Sequence, residues 1–304
     1  MPKFLVTGGA GFIGSNMAIW LAKDPNNQVI VVDNFLTGKK ENLSGNIKYI
    51  KADVNDFEDI AGVFYGGFDY VYHYAAVVGV QRTLQYPALV LRDIDGIENI
   101  LNLCKNTGVK RIFYSSSSEV YGEPVEMPQH EETTPLNSRL PYAVVKNVGE
   151  SFLKSYKYEF DLDFTIFRFF NTFGPRQSTD FVMSKFIDAA KNGRDITIYG
   201  EGDQTRTFCF IDDNIEATTN AIKDSSTINE VINIGNDVEI KIIDLAKKII
   251  DKTNSSSKIV HLPPLKEGDM RRRQPDATKM KKLLNRPLTS LDDGIDKLLQ
   301  FNNS

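Results

Sequence analysis

Cysteine is scarce in this chain of 304 residues: Cys104 and Cys209 lie far apart in sequence, each in apolar surroundings. Two distant thiols supply neither a disulfide framework nor the clustered ligands of a zinc site. We therefore expect two buried free thiols and no metal site. A protein of the reducing cytoplasm fits this cysteine usage.

Long apolar runs and an excess of one charge are also missing. No hydrophobic run approaches the roughly 20 residues that cross a bilayer, and the first predicted strand starts at residue 3, ahead of which no signal peptide is expected. The net charge of −4 gives no reason to expect nucleic acid binding. A hydrophobic fraction of 41% and a charged fraction of 25% are typical of a globular protein without a membrane span.

What the chain does contain is a glycine-rich turn near its start. An apolar strand over residues 3–7 is followed by GGAGFIG at 8–14 and by apolar residues at helical spacing over 15–23. A second apolar strand over 28–32 then ends in Asp33. Strand, glycine turn, helix, strand and acid together form the dinucleotide-binding fingerprint.

Each part of this fingerprint has a physical role. Gly8 permits the tight turn, Gly11 lets the backbone approach a pyrophosphate, and Gly14 lets the helix pack against the strand. Free N–H groups at the helix N-terminus favour phosphate. Asp33 would accept hydrogen bonds from the adenosine ribose and repel a 2′-phosphate, so NAD is predicted over NADP. The alternative is an ordinary glycine-rich βαβ turn, but four agreeing features argue against it.

Strands and helices continue to alternate, with further strands predicted over 47–51, 68–74, 111–115 and 164–170. This alternation predicts an α/β fold with a doubly wound, Rossmann-type parallel sheet. We expect an NAD-binding domain over residues 1–171. A smaller substrate-binding lobe over 172–304 follows, some of whose elements return to the sheet.

Two polar residues, Asp53 and His73, can each be interpreted as a ligand-binding residue or as a structural one. Asp53 follows the third strand, at the edge where ligands bind in open α/β folds. It contacts the adenine or caps a helix that begins near Phe57. His73 lies inside the fourth strand, where a packed core residue is the commoner role.

Tyr142 and Lys146 are four residues apart in a predicted helix and therefore share one of its faces. Tyrosine, with a pKa of about 10, is a poor base at neutral pH, but an ammonium one turn away favours the phenolate. Such a pair could take a proton from a sugar or alcohol hydroxyl. The serine run 115–118 follows the fifth strand and supplies hydroxyls to hold that group. The alternative is a tyrosine and a lysine on the surface.

Taken together, these motifs resemble the extended short-chain dehydrogenases/reductases, in particular the NAD-dependent nucleotide-sugar epimerases and dehydratases. The resemblance covers nearly the whole chain. Its motifs are GGAGFIGS (8–15), VDNFLTGKKENL (32–43), SSSSEVYGEP (115–124), PYAVVK (141–146), RFFNTFGPRQ (168–177), YGEGDQTRTFCFIDD (199–213), INIGN (232–236) and GDMRRRQPD (268–276).

The resemblance implies NAD as cofactor, a nucleotide-diphosphate sugar as substrate and a homodimer formed through the helices over 88–106 and 142–160. It makes Tyr142 the base and Lys146 the residue that positions it, with Ser117 and Glu119 completing the catalytic set. Contacts to NAD are implied for Gly8, Gly11, Phe12, Ile13, Gly14, Asp33, Asn34, Asp53, Val54, Ala75, Tyr142 and Lys146.

Substrate contacts are implied for Ser117, for Asn171 after the sixth strand, and for arginines of the second half. Arg206 lies in a polar turn, and Arg271–Arg273 place three guanidiniums together. Arginine suits bidentate phosphate contacts, whereas a solvated charge run is the alternative. Alignment with epimerases selects Arg271 for the pyrophosphate, and alignment with decarboxylases selects Arg273.

The implied reaction is transient oxidation at sugar C4 without net redox change. Pro141, Gln177 and TGKKENL (37–43) resemble UDP-sugar 4-epimerases of the glucose/galactose type, which is the expected activity. Glu119 and the RRRQPD segment resemble UDP-glucuronate decarboxylases, the main alternative. A 4,6-dehydratase or an inactive dinucleotide-binding protein are further alternatives. Asp93 stands where the family usually has asparagine, which leaves one cofactor-loop contact open.

Overall fold

A computed structural model describes residues 1–45, 47–264 and 270–302. Its main sheet and three two-stranded sheets are built from short strands, named here in chain order. They are β1 (Lys3–Thr7), β2 (Gln28–Asp33), β3 (Lys48–Lys51), β4 (Tyr70–His73), β5 (Arg111–Ser117), β6 (Phe164–Phe169), β7 (Thr172–Phe173), β8 (Ile196–Tyr199), β9 (Thr205–Thr207), β10 (Cys209–Phe210), β11 (Glu230–Ile234), β12 (Glu239–Lys241) and β13 (Ile259–Leu262).

The α-helices alternate with these strands through most of the chain. They are α1 (Phe12–Leu21), α2 (Phe57–Ala61), α3 (Val80–Gln85), α4 (Pro87–Leu91), α5 (Asp93–Thr107), α6 (Pro141–Phe160), α7 (Val182–Lys191), α8 (Ile211–Asn220), α9 (Ile242–Thr253), α10 (Thr278–Leu284) and α11 (Leu291–Phe301). Within the described residues, no helix combines the length and apolarity that crossing a membrane requires.

Within the described residues, the main sheet is parallel throughout and has the order β11-β6-β5-β4-β1-β2-β3. From β1 the chain builds outward through β2 and β3, then returns to build β4, β5 and β6 on the other side. The carboxyl ends of β1 and β4 therefore flank the point where the strand order reverses. In open α/β sheets this is where ligands bind.

Alternating side chains of the strands supply two cores, one on each face of the sheet. Phe4, Tyr72 and Phe113 face α1 and α8, while Leu5 and Ile112 face the layer formed by α5 and α6. Successive side chains of a strand point to opposite faces, so helices cover both sides. The predicted doubly wound parallel sheet is confirmed.

The second half of the chain contributes both to the main sheet and to smaller pairings. The strand β11 adds to the main sheet beside β6, with Ile232 opposite Phe167. The other strands of this half form two-stranded sheets, in which β7 pairs with β10, β8 with β13 and β9 with β12. The functional division between residues 171 and 172 stays a prediction.

Some predicted boundaries were wrong. The single helix predicted over 88–106 is divided into α4 and α5, with Arg92 between them. The N–H of Asp95 bonds the Arg92 carbonyl at 3.1 Å, an i to i−3 contact tighter than an α-helical turn. Hydrophobic spacing cannot reveal this break, because apolar residues continue on the same face through it.

The buried polar and sulfur groups follow the predictions more closely. Cys104 and Cys209 are buried free thiols, as expected. His73 is a packed core residue whose Nδ1 lies 2.9 Å from Thr7 Oγ1, and burial lowers its pKa to about 3. The described residues contain no group of three or more His, Cys, Asp or Glu side chains that could hold a metal ion.

Candidate active site

A cavity of about 1410 Å³ opens at the carboxyl edge of the main sheet. Its walls run from the glycine turn and the end of β2, past β5 and the start of α6, to α7 and β8 in the second half of the chain. Pockets for one drug-sized ligand are usually about 300–1,000 Å³. The cavity therefore has room for a dinucleotide and a second ligand.

The glycine turn brings backbone close to backbone at one end of this cavity. Gly8 has φ +65°, and a Cβ there would lie 2.7 Å from the backbone of Ala75. A Cβ on Gly14 would lie 2.3 Å from the carbonyl oxygen of Gly8, and Gly11 precedes the first residue of α1. Only glycine fits at positions 8 and 14, and the N-terminus of α1 is left open toward the cavity.

The carboxylate of Asp33 is fixed beside this turn. Its Oδ2 accepts from the N–H of Ala10 at 2.9 Å, and its Oδ1 accepts from the N–H of Phe35 at 2.8 Å. Burial raises the pKa of Asp33, while these backbone hydrogen bonds act in the opposite direction. A fixed acceptor at this place suits a ribose diol and disfavours a 2′-phosphate, so the site fits NAD.

Asp53 lies in the cavity wall and is not a helix cap. The cap of α2 is Asp56, whose Oδ1 accepts from the N–H of Glu58 at 3.0 Å. The Asp53 carboxylate instead accepts from the side-chain amide of Asn34 at 3.1 Å. The helix-cap interpretation of Asp53 was therefore wrong, and its contact with adenine stays a prediction.

The predicted catalytic side chains meet in the middle of the cavity. Pro141 occupies the first turn of α6, where its missing N–H is not needed. Tyr142 in the same turn and Lys146 one turn later then face the end of β5. Lys146 Nζ lies 5.8 Å from the centre of the Tyr142 ring, and the Ser117 hydroxyl acts to lower the pKa of the Tyr142 phenol.

Burial outweighs the charge effect that the sequence suggested for this pair. Burial raises the pKa of Tyr142, and the carboxylate of Glu119 adds to the increase, whereas the Ser117 hydroxyl opposes it. Burial also lowers the pKa of Lys146 to about 8, against the effect of the Asp93 charge. In the protein chain without a bound cofactor, the ammonium of Lys146 is therefore not enough to make the phenol acidic.

Glu119 forms an ion pair with Arg273 in the wall of the same cavity. The Oε1 of Glu119 lies 2.9 Å from Nη1 of Arg273, whose side chain is only 7% exposed. Both residues line the cavity together with Tyr142 and Ser117. A buried cation and a carboxylate therefore stand beside the phenol in the cavity wall.

The structure separates the three neighbouring arginines. Arg271 is exposed and does not line the cavity. Arg272 forms an exposed ion pair with Glu239, so Arg273 is the member of the trio that reaches the cavity. The epimerase-based choice of Arg271 for the pyrophosphate gains no support. Gly268 and Asp269 of the GDMRRRQPD motif lie outside the described residues.

The other predicted substrate residues also line the cavity. Asn171 donates its side-chain amide to the Thr207 carbonyl at 3.1 Å, and Arg206 donates to the Thr205 carbonyl at 2.7 Å. Of the predicted site residues, those placed in the cavity wall are Gly8, Gly11, Phe12, Ile13, Gly14, Asp33, Asn34, Asp53, Val54, Ala75, Ser117, Glu119, Tyr142, Lys146, Asn171, Arg206 and Arg273. Their individual roles stay predictions.

Sequence reasoning missed several cavity residues of the second half. Lys185 of α7 and Thr197 and Tyr199 of β8 line its far end, together with Arg194. Lys185 Nζ lies 5.8 Å from the centre of the Tyr199 ring. A lysine on an amphipathic helix is usually solvated, so no signal in the sequence separated this one from a surface residue.

Asp93, which stands where the family usually has asparagine, contacts the loop that follows β4. It is buried, and its Oδ2 accepts from the N–H of Val77 at 2.7 Å. Its negative charge raises the pKa of Lys146. At this position the chain therefore combines a backbone anchor with a charge that acts on the predicted catalytic lysine.

A family model places these features in a known group of enzymes. The model of the NAD dependent epimerase/dehydratase family matches residues 4–235. The chain belongs to this family. Membership confirms the predicted family and its cofactor, NAD, for which the glycine turn and Asp33 provide a fitting site.

Relatives within the family carry out different reactions. UDP-N-acetyl-alpha-D-glucosaminuronate decarboxylase of Bacillus cytotoxicus is 37% identical, covering 98% of this chain and 97% of its own. UDP-glucuronic acid decarboxylase 1 of Danio rerio is 34% identical, covering 98% of this chain and 72% of its own. The crystal structure of UDP-glucose 4-epimerase from Thermotoga maritima, with UDP-glucose, has a TM-score of 0.94 and 32% identity, covering 99% of this chain and 98% of that one.

The fixed carboxylate of Asp33 is expected to make the protein bind NAD in preference to NADP. In Asp33→Asn one charged acceptor is lost, so we expect NAD affinity to fall about tenfold. Discrimination against NADP should narrow, because the repulsion of a 2′-phosphate is removed. Calorimetric titration of nucleotide-free protein with each dinucleotide measures both effects. Asp24→Asn, on an exposed turn, is the control, and unchanged rejection of NADP by Asp33→Asn would exclude this role.

Proposed function

We propose that the protein modifies a nucleotide sugar by transient oxidation of the sugar C4 hydroxyl. The observation that carries this proposal is the meeting of Ser117, Tyr142 and Lys146 in the cavity that also contains the glycine turn and Asp33. A proton acceptor and a dinucleotide site in one cavity are the requirements of alcohol oxidation. The cavity extends beyond the dinucleotide end, toward α7 and β8, where a second ligand can lie.

The chain's own residues then have defined tasks. Ser117 hydrogen-bonds the C4 hydroxyl, and Tyr142, as the phenolate, takes the hydroxyl proton as a general base and becomes the neutral phenol. Lys146, as an ammonium, stabilises the phenolate before the proton is transferred. Bound NAD supplies the acceptor for the C4 hydride and, when oxidised, a positive charge that also favours the phenolate. Return of the hydride leaves no net redox change.

For the sugar we propose a UDP-linked uronate that loses its carboxyl group. A 4-keto uronate is a β-keto acid, so its C5–C6 bond can break with release of carbon dioxide. The electron pair moves into the C4–C5 enolate, which is protonated at C5 before the hydride returns to C4. The buried guanidinium of Arg273 is suited to binding the carboxylate of the substrate. The negative charge of Glu119 repels that carboxylate, and the repulsion is relieved when carbon dioxide leaves. The two decarboxylases among the relatives support this choice.

UDP-sugar 4-epimerisation, the activity expected from the sequence, is the second candidate. It is favoured by the similarity to the Thermotoga maritima epimerase and by Gln177, which lines the cavity and donates to the Thr172 carbonyl at 2.7 Å. In this reaction the keto sugar turns over and takes the hydride back on its other face. A neutral hexose would then be the substrate.

We propose a homodimer through the helices over 88–106 and 142–160, which are α4, α5 and α6. Both α4 and α5 pack against α6. Tyr158 and Phe160 at the end of α6 are exposed aromatic residues. We also propose a cytoplasmic location, which accords with the two free thiols, and a substrate-binding lobe that begins at residue 172.

Removal of the Tyr142 hydroxyl tests the central step. Tyr142→Phe is expected to lower turnover at least a hundredfold, because general base catalysis contributes about 10²–10⁴-fold. NAD content should be unchanged, as measured by absorbance of nucleotide released on denaturation. Tyr65→Phe makes the same change at an exposed position outside the cavity wall and outside helices α5 and α6, and it should retain full activity. Wild-type turnover in Tyr142→Phe would contradict the assigned base.

The role of Arg273 decides between the two candidate reactions. We expect carbon dioxide and a UDP-pentose from UDP-glucuronate, or the N-acetylated analogue from UDP-N-acetylglucosaminuronate, detected by chromatography of the nucleotide products. Arg273→Met should lower kcat/KM for the uronate at least tenfold, because a charged contact is lost. Arg272→Met, at the exposed neighbour, should have no effect. Conversion of UDP-glucose to UDP-galactose without release of carbon dioxide would establish epimerisation instead.

The lowered pKa of Lys146 predicts a loss of activity at alkaline pH. Lys146 is charged below its pKa of about 8, so turnover should fall as the pH rises through this value. Asp93→Asn keeps an acceptor for Val77 but removes the charge that raises the pKa of Lys146. The alkaline limb of the kcat profile should therefore move to lower pH. Asp95→Asn, exposed on the same helix, should leave the limb unmoved, and an unmoved limb in Asp93→Asn would disprove the coupling.

A further inference from the structure

Arg168 of β6 and Glu150 of α6 form an ion pair in the core beneath the cavity. The guanidinium is bidentate, with Nε 2.9 Å from Oε1 and Nη2 2.7 Å from Oε2 of the carboxylate. The two side chains are 2% and 1% exposed. Glu150 lies one helical turn beyond Lys146, so the pair holds the helix that carries the predicted catalytic residues.

The same carboxylate also holds the strand that carries the catalytic serine. The Ser116 hydroxyl donates to Oε1 of Glu150 at 2.6 Å. Ser116 precedes Ser117, the last residue of β5. One buried carboxylate therefore joins three elements, α6, β5 and β6, directly behind Tyr142 and Ser117.

On its other side, Arg168 is connected to the segment that carries Arg273. Its Nη1 donates to the Tyr121 hydroxyl at 2.8 Å, and that hydroxyl donates to Oδ1 of Asn233 at 2.8 Å. The Asn233 amide donates to the Gln129 carbonyl at 2.9 Å, and the N–H of Gln129 donates to the Gln274 carbonyl at 2.8 Å. This chain of hydrogen bonds extends from the pair to the neighbour of Arg273.

Stability alone does not require such a pair. Desolvation makes a buried ion pair costly, and an apolar pair of similar volume often stabilises as well or better. Apolar contacts between α6 and β5 leave small sliding movements inexpensive, whereas a bidentate pair with a third donor fixes distance and direction. The arrangement is therefore suited to holding one element at a fixed place relative to another.

We propose that Glu150 and Arg168 are positioning residues that hold Tyr142 and Lys146 in register with Ser117. This inference builds on the proposed function, in which these three side chains carry the proton transfer. A displacement of about 1 Å at reacting groups can cost about a hundredfold in rate. Tyr142 is also faced by Glu119, Asp93, Arg273 and Lys146, and the effect of Ser117 on its pKa adds to the effects of these charges.

The test replaces both partners, so that no buried charge is left unpaired. In Glu150→Met/Arg168→Met we expect kcat to fall at least tenfold, with KM for the nucleotide sugar and the NAD content unchanged. The acid limb of the kcat profile should move to higher pH, because a Ser117 hydroxyl that lies farther from the Tyr142 phenol stabilises the phenolate less. A crystal structure of the variant holoenzyme should show a longer Ser117 Oγ to Tyr142 Oη distance than in the wild type.

Matched controls separate positioning from general packing. Lys157 and Asp163 form another pair between α6 and the residue before β6, at 2.7 Å and away from the cavity. Lys157→Met should leave kcat and the pH profile unchanged. Ser116→Ala removes a single buried hydroxyl and serves if the double variant fails to fold; it should lower kcat about threefold or more, with KM unchanged. Ser151→Ala, at an exposed hydroxyl of α6, is its control.

The proposal is overturned if the double variant keeps the wild-type kcat, pH profile and Ser117–Tyr142 distance. If the double variant does not fold, the same result in Ser116→Ala overturns it. If the wild-type protein turns over no nucleotide sugar, the proposed function fails instead. The crystallographic distance still decides the positioning role in that case, since an unchanged distance overturns it and a lengthened one supports it.

Discussion

Desolvation of Tyr142 and Lys146 is the constraint on which the rest of the site depends. Burial makes the phenolate costly and moves the pKa of the lysine to about 8, so the phenol becomes a base only when its surroundings are completed. Ser117 acts to lower the pKa of the phenol, and bound NAD, when oxidised, would add a positive charge. In the proposed reaction Tyr142 is therefore a weak base until cofactor and substrate are in place.

The parallel sheet brings the parts of this site together. The carboxyl ends of β1, β2, β4 and β5 meet at one edge, where the glycine turn, Asp33 and the serine run all lie. Helix α6 is fixed to that edge through Glu150 and its buried partner on β6. Arg273 reaches the same place from the far end of the sequence and meets Glu119, so residues from both halves of the chain form one wall.

Much of the site could be predicted because its motifs are local. The glycine turn, Asp33 and the Tyr142–Lys146 pair each depend on a spacing of a few residues within one element or one βαβ unit. The choice among the three arginines could not be predicted, since neighbours in an irregular segment point in different directions. The cap of α2 was also misjudged, because Asp53 and Asp56 are both acids near the start of one helix.

The sequence by itself determined the family, the cofactor and the doubly wound sheet, because these follow from periodicity and from motifs that act within a short stretch. The tertiary structure decided which arginine reaches the cavity, how burial alters the pKa values of Tyr142 and Lys146, and which buried pair joins α6 to β5 and β6. These properties depend on contacts between residues far apart in the chain. Burial and distance between such residues exist only once the elements have packed.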